Sequence, residues 1–127
     1  MTPIKDELNA LVYKTYSQQE ANSRFSNIPS EDCLYLNIFS PTTVAKNNLL
    51  PVYVHFHGGN FSAGTPNDPI YYGRNLSSKG VVVVTVEFRN DVFGYLKENG
   101  NTNYAVDDCV KALNFLKDNI SLIVIYF

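Results

Sequence analysis

The sequence predicts an α/β fold in which a mixed, mostly parallel sheet is flanked by helices, and three observations carry that expectation. Four consecutive valines, Val81 to Val84, run into Thr85-Val86 without polar alternation, as a strand covered on both faces requires. Residues 104–119 then carry Val106, Val110, Leu113, Phe115 and Leu116 at helical spacing. Upstream, two further runs rich in strand formers precede a long irregular crossover, so the order is strand, strand, crossover, strand, helix.

The chain has 127 residues, the length of one domain, and ten Lys plus Arg against twelve Asp plus Glu leave a formal charge of -2. An apolar fraction of 45% supports a core, and 17% charged residues is too sparse for a disordered polyelectrolyte. Without a basic excess, nucleic acid is excluded as a partner, because the term that dominates phosphate-backbone binding is missing. The apolar runs 81–84 and 122–127 are far below the ~20 residues of a membrane span. The first ten residues carry no apolar core of a signal peptide, so as written the chain reads as cytoplasmic, with its localisation otherwise unknown.

In chain order, residues 2–24 place Ile4, Leu8, Leu11, Val12 and Tyr16 on one helical face, with Pro3 at a first helical position. Residues 1–29 therefore read as a helical segment. Residues 33–39 read as a strand stopped at Ser40-Pro41, and residues 51–57 as a second strand running into Gly58-Gly59. Gly64, Pro66, Pro69 and Gly73 break the stretch 60–80, leaving room for a short helix over 75–79. Residues 81–88 form the buried strand. In the helix over 104–119, Asp107 and Asp108 sit near the positive N-terminal end. Residues 121–127 are an apolar tail with strong β propensity, expected to pair along a sheet edge.

Several chemical signals compete with plain structural readings. Cys33 and Cys109 match no zinc spacing and read as free thiols. His55 and His57 share a strand face and could seed a metal site, yet no third ligand accompanies them. No cofactor is implied. The sequons at Asn60, Asn75 and Asn119 are no more than the abundance of asparagine produces. Ser62 lies in Asn60-Phe61-Ser62-Ala63-Gly64, which lacks the first glycine of a G-x-S-x-G elbow and follows a turn instead of a strand. It reads as a decoy. Gly58-Gly59 after a strand frees successive N–H groups that could stabilise an oxyanion, although such a pair is more often only a turn.

The surrounding words narrow this choice. Ser30-Glu31-Asp32-Cys33-Leu34-Tyr35-Leu36-Asn37-Ile38, then His57-Gly58-Gly59-Asn60-Phe61 with Gly64, then the valine strand with Arg89 and Phe93-Gly94-Tyr95-Leu96, resemble the type-B carboxylesterases of the α/β-hydrolase superfamily. Asn103-Tyr104, Asp108 and residues 113–120 resemble the segment leading to that family's nucleophile. The resemblance spans residues 30–120. It implies one incomplete type-B domain over 1–127, a partial α/β-hydrolase fold truncated before the nucleophile elbow, with 121–127 divergent.

By the same resemblance, the oxyanion donors fall on the backbone of Gly59 and Asn60, with Gly58 completing the turn. Asn60 stands where the family has a third glycine. Asn90-Asp91 replaces a leucine-glycine pair, Thr102 and Ala105 replace glycines, and Cys109 replaces a glutamine. Cys33 matches a cysteine that pairs upstream in the family, but residues 1–32 hold no cysteine. The nucleophile is absent because no G-x-S-x-G occurs, so ester hydrolysis by this chain alone is not expected. Carboxylic esters are the substrates implied for a full-length parent, and exposed sheet edges imply self-association. A non-catalytic esterase-like binding or adhesion module is the alternative.

Overall fold

A computed structural model describes residues 13–19, 29–42, 49–97, 100 and 103–125. The strands are β1 (Leu36–Phe39), β2 (Val52–Phe56) and β3 (Val82–Val86). A 3-10 turn, Pro69–Tyr71, and α1 (Arg74–Ser77) lie in the crossover between β2 and β3. After β3 come α2 (Asp91–Tyr95) and α3 (Tyr104–Ile125).

The valine run forms the centre of the sheet, whose order is β1-β3-β2. All five residues of β3 are buried, as a strand with neighbours on both edges and layers on both faces must be. β2 runs parallel to β3 with Phe56 opposite Val86, whereas β1 runs antiparallel with Leu36 opposite Val86. The sheet is mixed, one pairing of each kind. On one face, Val82, Val84 and Val86 meet Leu116, with Ala112, Phe115 and Ile120 of α3 packed around them. On the other, Gly73 lies against the Phe39 ring and Val83 so closely that a Cβ would not fit.

Three expectations are corrected. The N-terminal helix lies largely outside the described residues, and its described part, 13–19, is not helical: Tyr16 bridges Pro29 in parallel, and Ser30 N–H donates to Tyr16 O. Tyr16 is buried at 3% exposure, so aromatic burial in an extended segment outweighs the helical spacing. The short crossover helix covers Arg74–Ser77, starting one residue before and ending two residues before the expected 75–79. The tail does not form an edge strand, because α3 continues through Ile125. No glycine or proline interrupts 104–125, so the helix propagates past Ile120 despite the β-branched residues that follow. Residues 126–127 lie outside the described residues. No helix among the described residues is long and apolar enough to cross a membrane.

Candidate active site

β2 and β3 end side by side, and in open α/β sheets ligands bind beyond the carboxyl ends of parallel strands. The residues that follow directly, His57 and Glu87, are both buried. His57 stacks on Phe88 with centroids 4.4 Å apart and planes 13° from parallel. Its Nδ1 lies 3.1 Å from the carbonyl oxygen of Gly58, and its Nε2 lies 3.4 Å from Glu87 Oε1. Glu87 Oε2 accepts from Thr65 Oγ1 at 2.8 Å, and Thr65 itself is fully buried.

Above this layer the chain turns sharply. Gly59 has φ 153°, and Asn60 and Phe61 follow at 53° and 67°, both in the left-handed region. The Gly59 carbonyl accepts from the N–H groups of Ser62 and Ala63, each at 3.2 Å. A Cβ on Gly59 would overlap the Ala63 carbonyl oxygen, so only glycine fits there. Gly58, Gly59 and Asn60 are exposed, and no partner among the described residues engages the N–H groups of Gly59 and Asn60. The turn is docked from behind: Asp91 N–H donates to Phe61 O at 2.8 Å, and the Phe61 ring meets Tyr95 edge-on at 5.1 Å.

The remaining supports come from distant segments. Arg89 grips Asp108 of α3 with two bonds of 2.7 Å and lies over the Tyr104 ring. Asn90 N–H donates to Ser17 Oγ at 2.8 Å, and its side chain reaches Gly64 O. Cys33 is buried beside Ser17 and is free, as is Cys109. Burial first, then the charge of Glu87, pushes the Cys33 thiol up to about 11. Burial and Asp108 do the same to Cys109. His55 is drawn below its ordinary value by burial and by His57, and it packs on Tyr71 at 4.4 Å.

The structure thus brings Gly58, Gly59 and Asn60 together in one exposed turn. Ser62 is not brought to a base; its hydroxyl donates to Gly59 O at 3.4 Å. His55 and His57 gain no third partner, and no cluster of three metal-ligating side chains occurs among the described residues. Asn119 is buried and donates to Phe115 O, so its sequon is closed to modification in the folded chain. Asp91, at the position where the resemblance places glycine, keeps the left-handed backbone at φ 52°. Sequence reasoning missed Glu87 and Thr65. The signal was a carboxylate continuing an otherwise fully buried valine strand, where an acid survives only with partners.

Known proteins resemble this chain in sequence and in fold. The carboxylesterase family pattern matches residues 3–123, extending the likeness beyond 30–120 at both ends. The para-nitrobenzyl esterase of Bacillus subtilis (strain 168) is 38% identical over 128 residues, covering 92% of this chain and 26% of that protein. The neuroligin-like protein glit-1 of Caenorhabditis elegans is 48% identical over 94 residues, covering 71% of this chain and 12% of that protein. A solved PNB esterase structure superposes with a TM-score of 0.83 at 35% identity over 94% of this chain and 26% of its own. The chain therefore spans about an eighth to a quarter of the length of these relatives. With the family pattern matched over nearly all its residues and the same fold in a solved relative, this chain belongs to the carboxylesterase family.

Proposed function

We propose that the turn Gly58-Gly59-Asn60 is the oxyanion-stabilising element of a type-B carboxylesterase domain, and that the 127-residue chain alone does not hydrolyse esters. The observation that carries this reading is that no described residue engages the N–H groups of Gly59 and Asn60, which lie in an exposed turn beyond the carboxyl end of the parallel strand pair. Preorganised amides of this kind stabilise the tetrahedral intermediate of acyl transfer. Carboxylic esters of small molecules are the substrates of the full-length parent. Acyl transfer also requires a nucleophile with its base and orienting acid, and the sequence holds no G-x-S-x-G.

Assay of the isolated chain with an activated short-chain ester tests the proposal, with no turnover above background as the expected result. Loss of a triad leaves at most ~10³- to 10⁴-fold residual enhancement over water. Turnover abolished by Ser62→Ala would overturn it. Fast hydrogen exchange is expected at the Gly59 and Asn60 amides, and protection of both would remove the donors from the site.

A second reading, a non-catalytic esterase-like binding or adhesion module, is favoured by the 48% identity to a neuroligin-like protein. Saturable binding of a defined partner by monomeric, cooperatively folded chain would support it. Lack of a cooperative thermal transition would eliminate it.

A further inference from the structure

The contact between His57 and Glu87 has a definite chemical content. His57 Nδ1 faces the Gly58 carbonyl oxygen at 3.1 Å. A carbonyl oxygen only accepts, so Nδ1 carries a proton. Nε2 then faces Glu87 Oε1 at ion-pair distance, 3.4 Å, and neither atom has a hydrogen-bond partner among the described residues. The two side chains are 0% and 1% exposed, and opposed lone pairs in such a place carry a large desolvation cost. One proton shared between Nε2 and Oε1 would satisfy both buried atoms at once and leave the pair net neutral. Thr65 holds the far carboxyl oxygen, and Phe88 fixes the ring plane.

The backbone carries this arrangement to the exposed face. All described peptide bonds are trans, so the Gly58 carbonyl and the Gly59 N–H point in opposite directions across one planar unit. A carbonyl tied to the imidazole turns that N–H away from the ring and polarises it. We propose that Glu87 is a positioning residue, acting through His57 and the Gly58 carbonyl to aim the Gly59 N–H at the oxyanion position. The purpose of the relay rests on the oxyanion reading above; its geometry does not.

Nuclear magnetic resonance of the 127-residue chain tests the relay at its atoms. In the unmodified chain, the His57 Nδ1 resonance is expected in the protonated range, and the Nε2 and Glu87 carboxyl signals together place one proton between them. Glu87→Gln, whose side-chain N–H can donate to Nε2, keeps Nδ1 protonated and leaves the Gly59 amide signal near its original position. Glu87→Leu removes the partner and moves the Gly59 amide and His57 ring signals. A bare Nδ1 in the unmodified chain, or a bare Nε2 facing an ionised Glu87, would overturn the proposal without any variant. So would a folded Glu87→Leu chain with both sets of signals unmoved. If that variant fails to fold, the unmodified chain and Glu87→Gln decide. Exchange protection of Gly59 and Asn60 would sink the oxyanion reading while leaving these nitrogen signals as expected.

Discussion

Arg89 and Asp108 form a two-pronged ion pair that ties the end of β3 to α3, with Nε to Oδ2 and Nη2 to Oδ1 both at 2.7 Å. The partners are unequally placed: the Arg89 side chain is 29% exposed and that of Asp108 is 1% exposed. Removing the arginine strands a buried charge, whereas neutralising the aspartate leaves an arginine that can reach water. Arg89→Leu is expected to lower unfolding stability by about 3 kcal/mol. Asp108→Asn, which still accepts a hydrogen bond, should cost about 1 kcal/mol. Urea unfolding midpoints measure both, and the reverse order would refute the assigned asymmetry.

Gly59→Val should be far more damaging than Asn60→Gly. Valine at position 59 collides with the Ala63 carbonyl and cannot adopt φ 153°, so a loss of about 3 kcal/mol or more is expected. Glycine at position 60 accepts φ 53° freely and should leave the thermal midpoint nearly unchanged. Equal midpoints for the two variants would count against the turn as described.

The buried Cys33 thiol and the half-buried Cys109 thiol give alkaline sensitivity a definite sign. Both Cys33 and Cys109 are pushed from the ordinary 9.0 up to about 11, so between those values the unfolded chain loses thiol protons that the folded chain keeps. The unfolded state then binds fewer protons, and stability falls as pH rises across pH 9 to about 11. Unfolding free energy measured from pH 7 to 11 should be lower at the alkaline end, with the drop reduced in Cys33→Ala. Thiol alkylation at pH 8 should be slow until denaturant is added. Rapid labelling of Cys33 in the native chain would contradict its burial.

Self-association through the sheet is expected at β2, whose outer edge pairs with no other strand among the described residues and whose Val52 and Tyr53 are exposed. Val52→Lys places a charge on that edge and should reduce the concentration dependence of the sedimentation coefficient. No change on substitution would move any association to another surface.

What the sequence revealed follows burial. The Val82–Val86 strand was legible because a strand covered on both faces needs no alternation to be recognised, and the start of α3 was legible from its periodicity. The end of α3 was not, because β-branched residues after Ile120 suggest a strand while an unbroken helix already exists to extend. Tyr16 misled in the opposite sense, since its spacing suits a helix and its burial comes from an extended segment. The turn at Gly58 to Asn60 was legible from a family word. Glu87 was silent, because its meaning depends on a histidine thirty positions away in sequence that becomes adjacent only when two strands pair in parallel.

The bond from Asn90 N–H to Ser17 Oγ spans 73 residues, and that from Asn67 to the Lys14 carbonyl spans 53. Neither reward is collected until the valine strand and its crossover are already in place, because the ends of such long loops must first be brought together. The extended segment around Tyr16 is thus expected to arrive late on the folding route. Substitution of Ser17 should therefore accelerate unfolding and leave the refolding rate almost untouched.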